Sequence, residues 1–300
     1  HGQPQRGCKD LVRSLAPPLN VIMEAEPFDD GFYPSTADQP GRLIRQPANS
    51  TLPAGLTVIP HAVSEAVALE AYHFTAGRPQ GGPPWGTYLP LIGEDAATGE
   101  LRVMKRGVET EVEALAERLL CDFWRCSAGE LLRADLAHVH GFGVWAVIGG
   151  VGLETAYHVD YAEMYRRRTN CIVPPLHAAT LQVSPVSPDN VEGGTFAAHS
   201  EGLEHYKRHG YKCRRQPPST DLPTTDWGAS AGWTYAPYKF RQGTLSSGEL
   251  PHACDKVKRW PEGSVPPQLA SHEPSLSAAV TLATAIICAS RASPPCRTQG

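Results

Sequence analysis

Hydrophobic and polar positions follow two different periods along this chain. Between Glu109 and Arg125 the apolar residues Val112, Leu115, Leu119 and Phe123 recur three and four apart, which places them on one face of an α-helix. A second helix is predicted over Ser64–Tyr72, with Ser64 as N-cap and Val67, Leu69 and Ala71 within it. Leu131–Leu136 reads as a short helix, and Leu203–Arg208 as another that Gly210 ends. From Val144 onward short apolar runs are punctuated by Gly, Pro and Asn, the texture of strands and turns. Strands are predicted at Leu56–Ile59, Tyr88–Ile92, Leu176–Ser184 and Tyr238–Leu245. Val144–Leu153 reads as one strand or as a pair broken at Gly149-Gly150. Residues 1–55 show no period and read as an irregular leader, whereas residues 56–260 carry the regular elements. A polar stretch over 214–232 reads as a loop insertion, and 261–300, rich in Ser, Ala and Pro, as an irregular tail. The predicted class is mainly β with flanking helices.

Composition narrows this picture. Twenty-eight Gly and 28 Pro in 300 residues suit short strands joined by turns. A net charge of −4 gives no basic surplus for a nucleic-acid partner. The 8 cysteines form no C-x-x-C pair and read as free thiols of a reducing compartment. No apolar N-terminal leader is visible and the run from Leu276 to Ala289 is short for a membrane span, so the default expectation is a cytoplasmic protein without a membrane partner.

Chemistry enters at Tyr157-His158-Val159-Asp160. Side chains two apart on a strand share a face, so His158 and Asp160 project together while Val159 turns into the opposite layer. An imidazole beside a carboxylate makes up two members of the 2-His-1-carboxylate set that holds non-haem Fe(II) with positions left open. A second imidazole must come from a distant strand. His252, in Gly248-Glu249-Leu250-Pro251-His252, is the leading candidate, and His199, His205 and His209 are alternatives.

The order H-x-D (His158, Asp160), then E-G-G-T-F (Glu192–Phe196), then G-x-L-x-x-G-x-L-P-H (Gly243–His252) resembles the Fe(II)/2-oxoglutarate-dependent dioxygenases, and looks closest to their prolyl-4-hydroxylase-like branch. The resemblance spans roughly residues 56–260. It implies a double-stranded β-helix, a jelly-roll or cupin-like core, with His158, Asp160 and His252 as metal-binding and catalytic residues. It also implies Fe(II) as cofactor, 2-oxoglutarate and dioxygen as cosubstrates, and ascorbate as a reductant. The activity it implies is hydroxylation of a protein side chain or a small molecule, coupled to decarboxylation of 2-oxoglutarate to succinate. Such enzymes anchor the far carboxylate of 2-oxoglutarate with an Arg or Lys on the strand after the distal His. Here the basic residues are Lys256, Lys258 and Arg259, closer to His252 than that register asks. Arg259, with its bidentate fork, is preferred, followed by Lys258, and Tyr157 is a further cosubstrate contact. The chain then departs from the pattern, reading Pro261-Glu262-Gly263-Ser264-Val265-Pro266-Pro267 where an apolar strand is due. Two rival readings stand beside the first: a cupin-like metal enzyme without 2-oxoglutarate, and an inactive barrel serving as a binding module.

Overall fold

Ser64 opens the first helix, α1 (Glu65–Ala76), by accepting the Val67 N–H on its hydroxyl at 3.4 Å. Its own N–H donates to Asp122 Oδ2 at 3.0 Å, which ties α1 to the second helix, α2 (Thr110–Arg125). In α2 the predicted stripe Val112, Leu115, Leu119 and Phe123 is buried throughout. The short helix predicted at 131–136 begins earlier, as α3 (Ser127–Leu132), and tightens into a 3-10 turn over Arg133–His138. A last helix, α4 (Leu203–His209), follows the predicted span. These coordinates are a computed structural model that describes residues 42–43, 51–76, 85–107, 110–161, 171–209, 232–261, 278–281 and 286–287.

The strands in chain order are β1 (Arg42–Leu43), β2 (Thr57–Ile59), β3 (Gly86–Glu94), β4 (Leu101–Val103), β5 (Gly141–Trp145), β6 (Val147–Gly150), β7 (Thr155–His158) and β8 (Cys171–Ile172). They continue with β9 (His177–Leu181), β10 (Phe196–His199), β11 (Trp233–Ala236), β12 (Gly243–Ser247), β13 (His252–Cys254), β14 (Ala278–Thr281) and β15 (Ile286–Ile287). One sheet has seven strands in the order β2-β12-β9-β15-β5-β3-β4, and another has four in the order β11-β10-β13-β7. Every pairing in these two sheets is antiparallel. The fold is a mixture of helix and antiparallel sheet.

The helices cover the larger sheet. Ile59, Leu89, Phe142, Val144, Leu181 and Leu245 from its strands form one apolar cluster with Tyr72, Leu115, Leu119 and Phe123. The smaller sheet has clusters of its own. Tyr157, Val159 and Ala253 meet Leu203 and Tyr206 of α4, whereas Phe196 and Ala198 meet Ala236 and Leu250.

Several boundaries depart from the pattern for visible reasons. The break in 144–153 falls at Ala146, whose N–H bonds the Trp85 carbonyl at 3.0 Å, and the chain there leaves the seven-stranded sheet to pair β6 with β14. No strand runs over 238–242, because Arg241 sits at φ 67° and turns the chain out of the extended region. The glycine-rich segment Glu192–Thr195 forms only an isolated bridge from Glu192 to Arg259 before β10 begins. The polar insertion over 214–231 lies outside the described residues. Short strands β1, β14 and β15 fall within the leader and tail that read as irregular. No helix among the described residues is long and apolar enough to cross a membrane.

Candidate metal centre

Strand parity builds the site. On β7 and just beyond it, Tyr157 and Val159 turn into the cluster under α4, and Val159 is fully buried there. His158 and Asp160 therefore take the other face. β13 pairs with β7 so that His252 stands directly opposite His158, with a register shift between His252 and Cys254. The ring centroids of the two histidines lie 4.4 Å apart.

Asp160 sits between them. Its Oδ1 is 3.6 Å from His158 Nε2 and its Oδ2 is 3.4 Å from His252 Nε2. One ligand atom from each of the three residues lies within 4.8 Å of the other two. Donors on adjacent positions of a six-coordinate first-row ion stand roughly 3 Å apart for bonds of about 2.1 Å, so small side-chain movements would close the set on a cation.

The second layer agrees with that role. His252 Nδ1 lies 3.1 Å from the Leu250 carbonyl. A carbonyl only accepts, so Nδ1 carries the proton there, and Nε2 on the Asp160 side is the nitrogen that would serve as ligand to a cation. Phe196 packs against the His252 ring, centroids 5.1 Å apart and planes 29° from parallel. Gly248 sets the turn that delivers β13, since a Cβ there would stand 2.0 Å from the Pro175 carbonyl oxygen.

A second histidine–carboxylate pair shows what a structural pair looks like in this protein. His177 Nε2 is 2.9 Å from Asp135 Oδ2, with both side chains sealed from solvent at 0% and 2% exposure. At the trio, His158 and Asp160 keep 19% and 16% of their side-chain surface open. Ligands from solution can therefore reach the trio, and the sealed pair offers no such approach.

The other predicted contacts fall elsewhere. Tyr157 points away from the trio, and its hydroxyl lies 2.5 Å from His205 Nδ1 on the far face of the sheet. Lys256, Lys258 and Arg259 are all exposed, and the Arg259 guanidinium donates to the Asp189 carbonyl at 3.2 Å. His199 and His205 stand with Trp233 on that same far face, and the side chain of His209 lies outside those described. Sequence reasoning gave no role to Phe196, and took His199 and His205 only as alternatives to His252, not as the group they form with Glu201. The H-x-E spacing at 199–201, which repeats the H-x-D logic, is the signal that marks the latter.

The chain is similar to solved oxygenase structures. A Pseudomonas putida prolyl-4-hydroxylase matches over 78% of this chain and 86% of its own at 11% identity, with a TM-score of 0.38. An oxidoreductase of the 2OG-Fe(II) oxygenase family from Burkholderia pseudomallei matches over 68% and 78% at 9% identity and a TM-score of 0.33. HygX from Streptomyces hygroscopicus, with nickel and 2-oxoglutarate bound, matches over 77% and 82% at 10% identity and a TM-score of 0.38. No family model and no curated protein matches the chain. The side chains themselves carry the functional reading.

Proposed function

We propose that this chain is a non-haem Fe(II)- and 2-oxoglutarate-dependent oxygenase. We read its catalytic unit as residues 56–260 on a double-stranded β-helix; the antiparallel pairing of the two sheets supports that reading, while β15 (Ile286–Ile287), from beyond that span, is seated between β9 and β5 of the larger sheet. The convergence of His158, Asp160 and His252 from two paired strands, on a face that solvent reaches, carries the proposal. Two neutral imidazoles and one carboxylate are the donor set that suits Fe(II) and leaves positions open. With 2-oxoglutarate and dioxygen, bound Fe(II) supplies the oxidation of a substrate C–H bond to C–OH, with carbon dioxide and succinate as coproducts. The chain's own contribution is placement: Leu250 orients one imidazole, Asp160 stands between both, and Phe196 and Leu250 give the site an apolar wall. The substrate class is a protein side chain or a small molecule, with ascorbate as the reductant that keeps the iron ferrous.

One observation favours a second reading. Lys258 and Arg259 lie exposed, which suits a metal enzyme on the same scaffold that takes no 2-oxoglutarate. A single experiment separates the two. Fe(II) is titrated anaerobically into the full chain with and without 2-oxoglutarate, and the visible charge-transfer absorption of a chelated keto acid is followed, with His158→Ala as control. A band that needs both additions and is lost in the variant is the expected result. Iron binding without the band would move the assignment to the second reading, and absence of iron binding would overturn both.

A further inference from the structure

The hairpin of β3 and β4 carries apolar side chains on both of its faces, and only one face is covered. We propose that its open face docks an acidic peptide in extended conformation, added as a further strand along β4. Among the described residues β4 is the last strand of the larger sheet. Leu89, Leu101 and Val103 turn into the core under the helices. Alternation therefore sends Tyr88, Arg102 and Met104 to the opposite face. Tyr88 lies there across Gly141, where a Cβ would come within 2.6 Å of its hydroxyl. The pairing shifts register between Leu91 and Gly93, and Gly93, at φ 147°, lets the chain take the extra residue. That residue, Ile92, is lifted onto the open face and is 55% exposed. Met104, whose N–H bonds the Pro90 carbonyl at 2.8 Å, is 40% exposed.

Charge on this face is of one sign. Arg102 and Arg106 stand two residues to either side of Met104, both exposed, and Arg106 lies over the Tyr88 ring, 5.7 Å from its centroid. The carboxylates of the hairpin are engaged elsewhere. Glu94 pairs with Arg133 at 2.7 Å, and Glu100 with Arg125 of α2 at 2.7 Å. Asp95 accepts the Ala97 and Thr98 N–H groups within the hairpin turn. Lys105 pairs with Glu117 of α2 at 2.7 Å. Arg102 and Arg106 have no ion-pair partner among the described residues, so this apolar strip is framed by two positive charges open to an anionic partner.

Backbone direction selects the form of that partner. The Met104 N–H points inward to Pro90, so by antiparallel alternation the Val103 N–H points outward along the edge. Side chains two apart on a strand stand about 6.8 Å apart. An added strand therefore sets acidic, apolar and acidic side chains, at its own first, third and fifth positions, against Arg102, Met104 and Arg106. Edge bonds supply affinity, and the two guanidinium forks select carboxylates.

The probe is a fluorescein-labelled peptide with the core Glu-Thr-Val-Thr-Glu, titrated with the full chain and followed by fluorescence anisotropy. It is expected to bind, and to lose at least about tenfold in affinity in Arg102→Glu/Arg106→Glu, whose exposed positions leave the melting temperature unchanged. Methylating the two threonine amides, which face the β4 edge in this register, keeps the charge and is expected to abolish binding. The proposal is overturned if the acidic peptide does not bind, if the double variant or the methylated peptide binds as well, or if a Lys-Thr-Val-Thr-Lys peptide does. Equal affinity for phosphatidylserine vesicles also overturns it, since the face would then be a general anion surface. Every measurement is made without iron, so none bears on the oxygenase reading.

Discussion

Phe196 offers the sharpest test of how the metal centre is held. Its ring is stacked on His252 and is itself 7% exposed, walled by Ala198, Ala236 and Leu250. Phe196→Leu keeps an apolar side chain in that space but removes the ring–ring contact. An aromatic pair contributes about 0.5–1.5 kcal/mol beyond the area it buries. If that contact sets the tilt of His252, the loss appears in metal affinity, which should fall about two- to tenfold. Phe196→Ala adds a cavity and should cost about 3–5 kcal/mol of folding stability. The assay pairs anaerobic Fe(II) titration against a competing chelator with urea unfolding of the metal-free chain. The expected pattern is a modest stability loss and weaker metal binding for Leu, and a large stability loss for Ala. If Phe196→Leu unfolds more easily yet binds Fe(II) with unchanged affinity, the reasoning fails, and the Leu250 carbonyl alone orients the His252 ring.

Four further outcomes follow from the geometry. Gly248→Ala forces a methyl against the Pro175 carbonyl and should cost about 1–3 kcal/mol while displacing His252, read as joint loss of melting temperature and metal affinity. Asp135→Ala strands two buried donors, the neutral His177 Nε2–H and the Thr51 N–H that Asp135 accepts at 2.8 Å; the expected loss is about 1–3 kcal/mol for each by denaturant unfolding, with Asp135→Asn milder. Burial, against the opposing pull of Asp135, holds the His177 imidazole down to about 4 from 6.5, so the unfolded chain takes up its proton first. The stability this provides is complete above pH 6.5 and is lost as pH falls toward 4; a pH series of melting temperatures should flatten over that window in His177→Gln. Tyr157→Phe, altered on the far face, should leave the 2-oxoglutarate-dependent absorption intact, and loss of the band would return Tyr157 to the cosubstrate pocket.

The parts of this protein legible in its sequence are those where local periodicity and burial agree. The α2 stripe is read directly from three-and-four spacing, because one face of that helix meets one continuous core. His158 and Asp160 share a face for the equally local reason that strand side chains alternate. The partner across the strands, His252, could be nominated only by motif order, since its register is set by pairing with β7 and by the turn at Gly248. Other boundaries were invisible for long-range reasons. Ala146 ends one strand and starts the next because Trp85 captures its N–H from far along the chain, while the local glycines suggested a later break. Trp233–Ala236 became a strand by pairing with β10 although its neighbours read as loop. Tyr157 shows the limit of reasoning by proximity: it adjoins the candidate ligand His158 in sequence and, for that very reason, faces the other way.

The pairing of β13 with β7 also times the site's appearance. His158 and Asp160 leave the ribosome long before His252 does, and β13 docks between β10 and β7 as an inner strand of the smaller sheet. Until that strand is seated, no second imidazole opposes the first, and the nascent chain offers iron only an incomplete grip. If the proposed trio holds iron, assembly of the last sheet position acts as an interlock, since a chain that has not seated β13 lacks the second imidazole. Metal retention can then serve as a readout of completed sheet formation, distinct from helix content, which α1 and α2 supply from the earlier half of the chain.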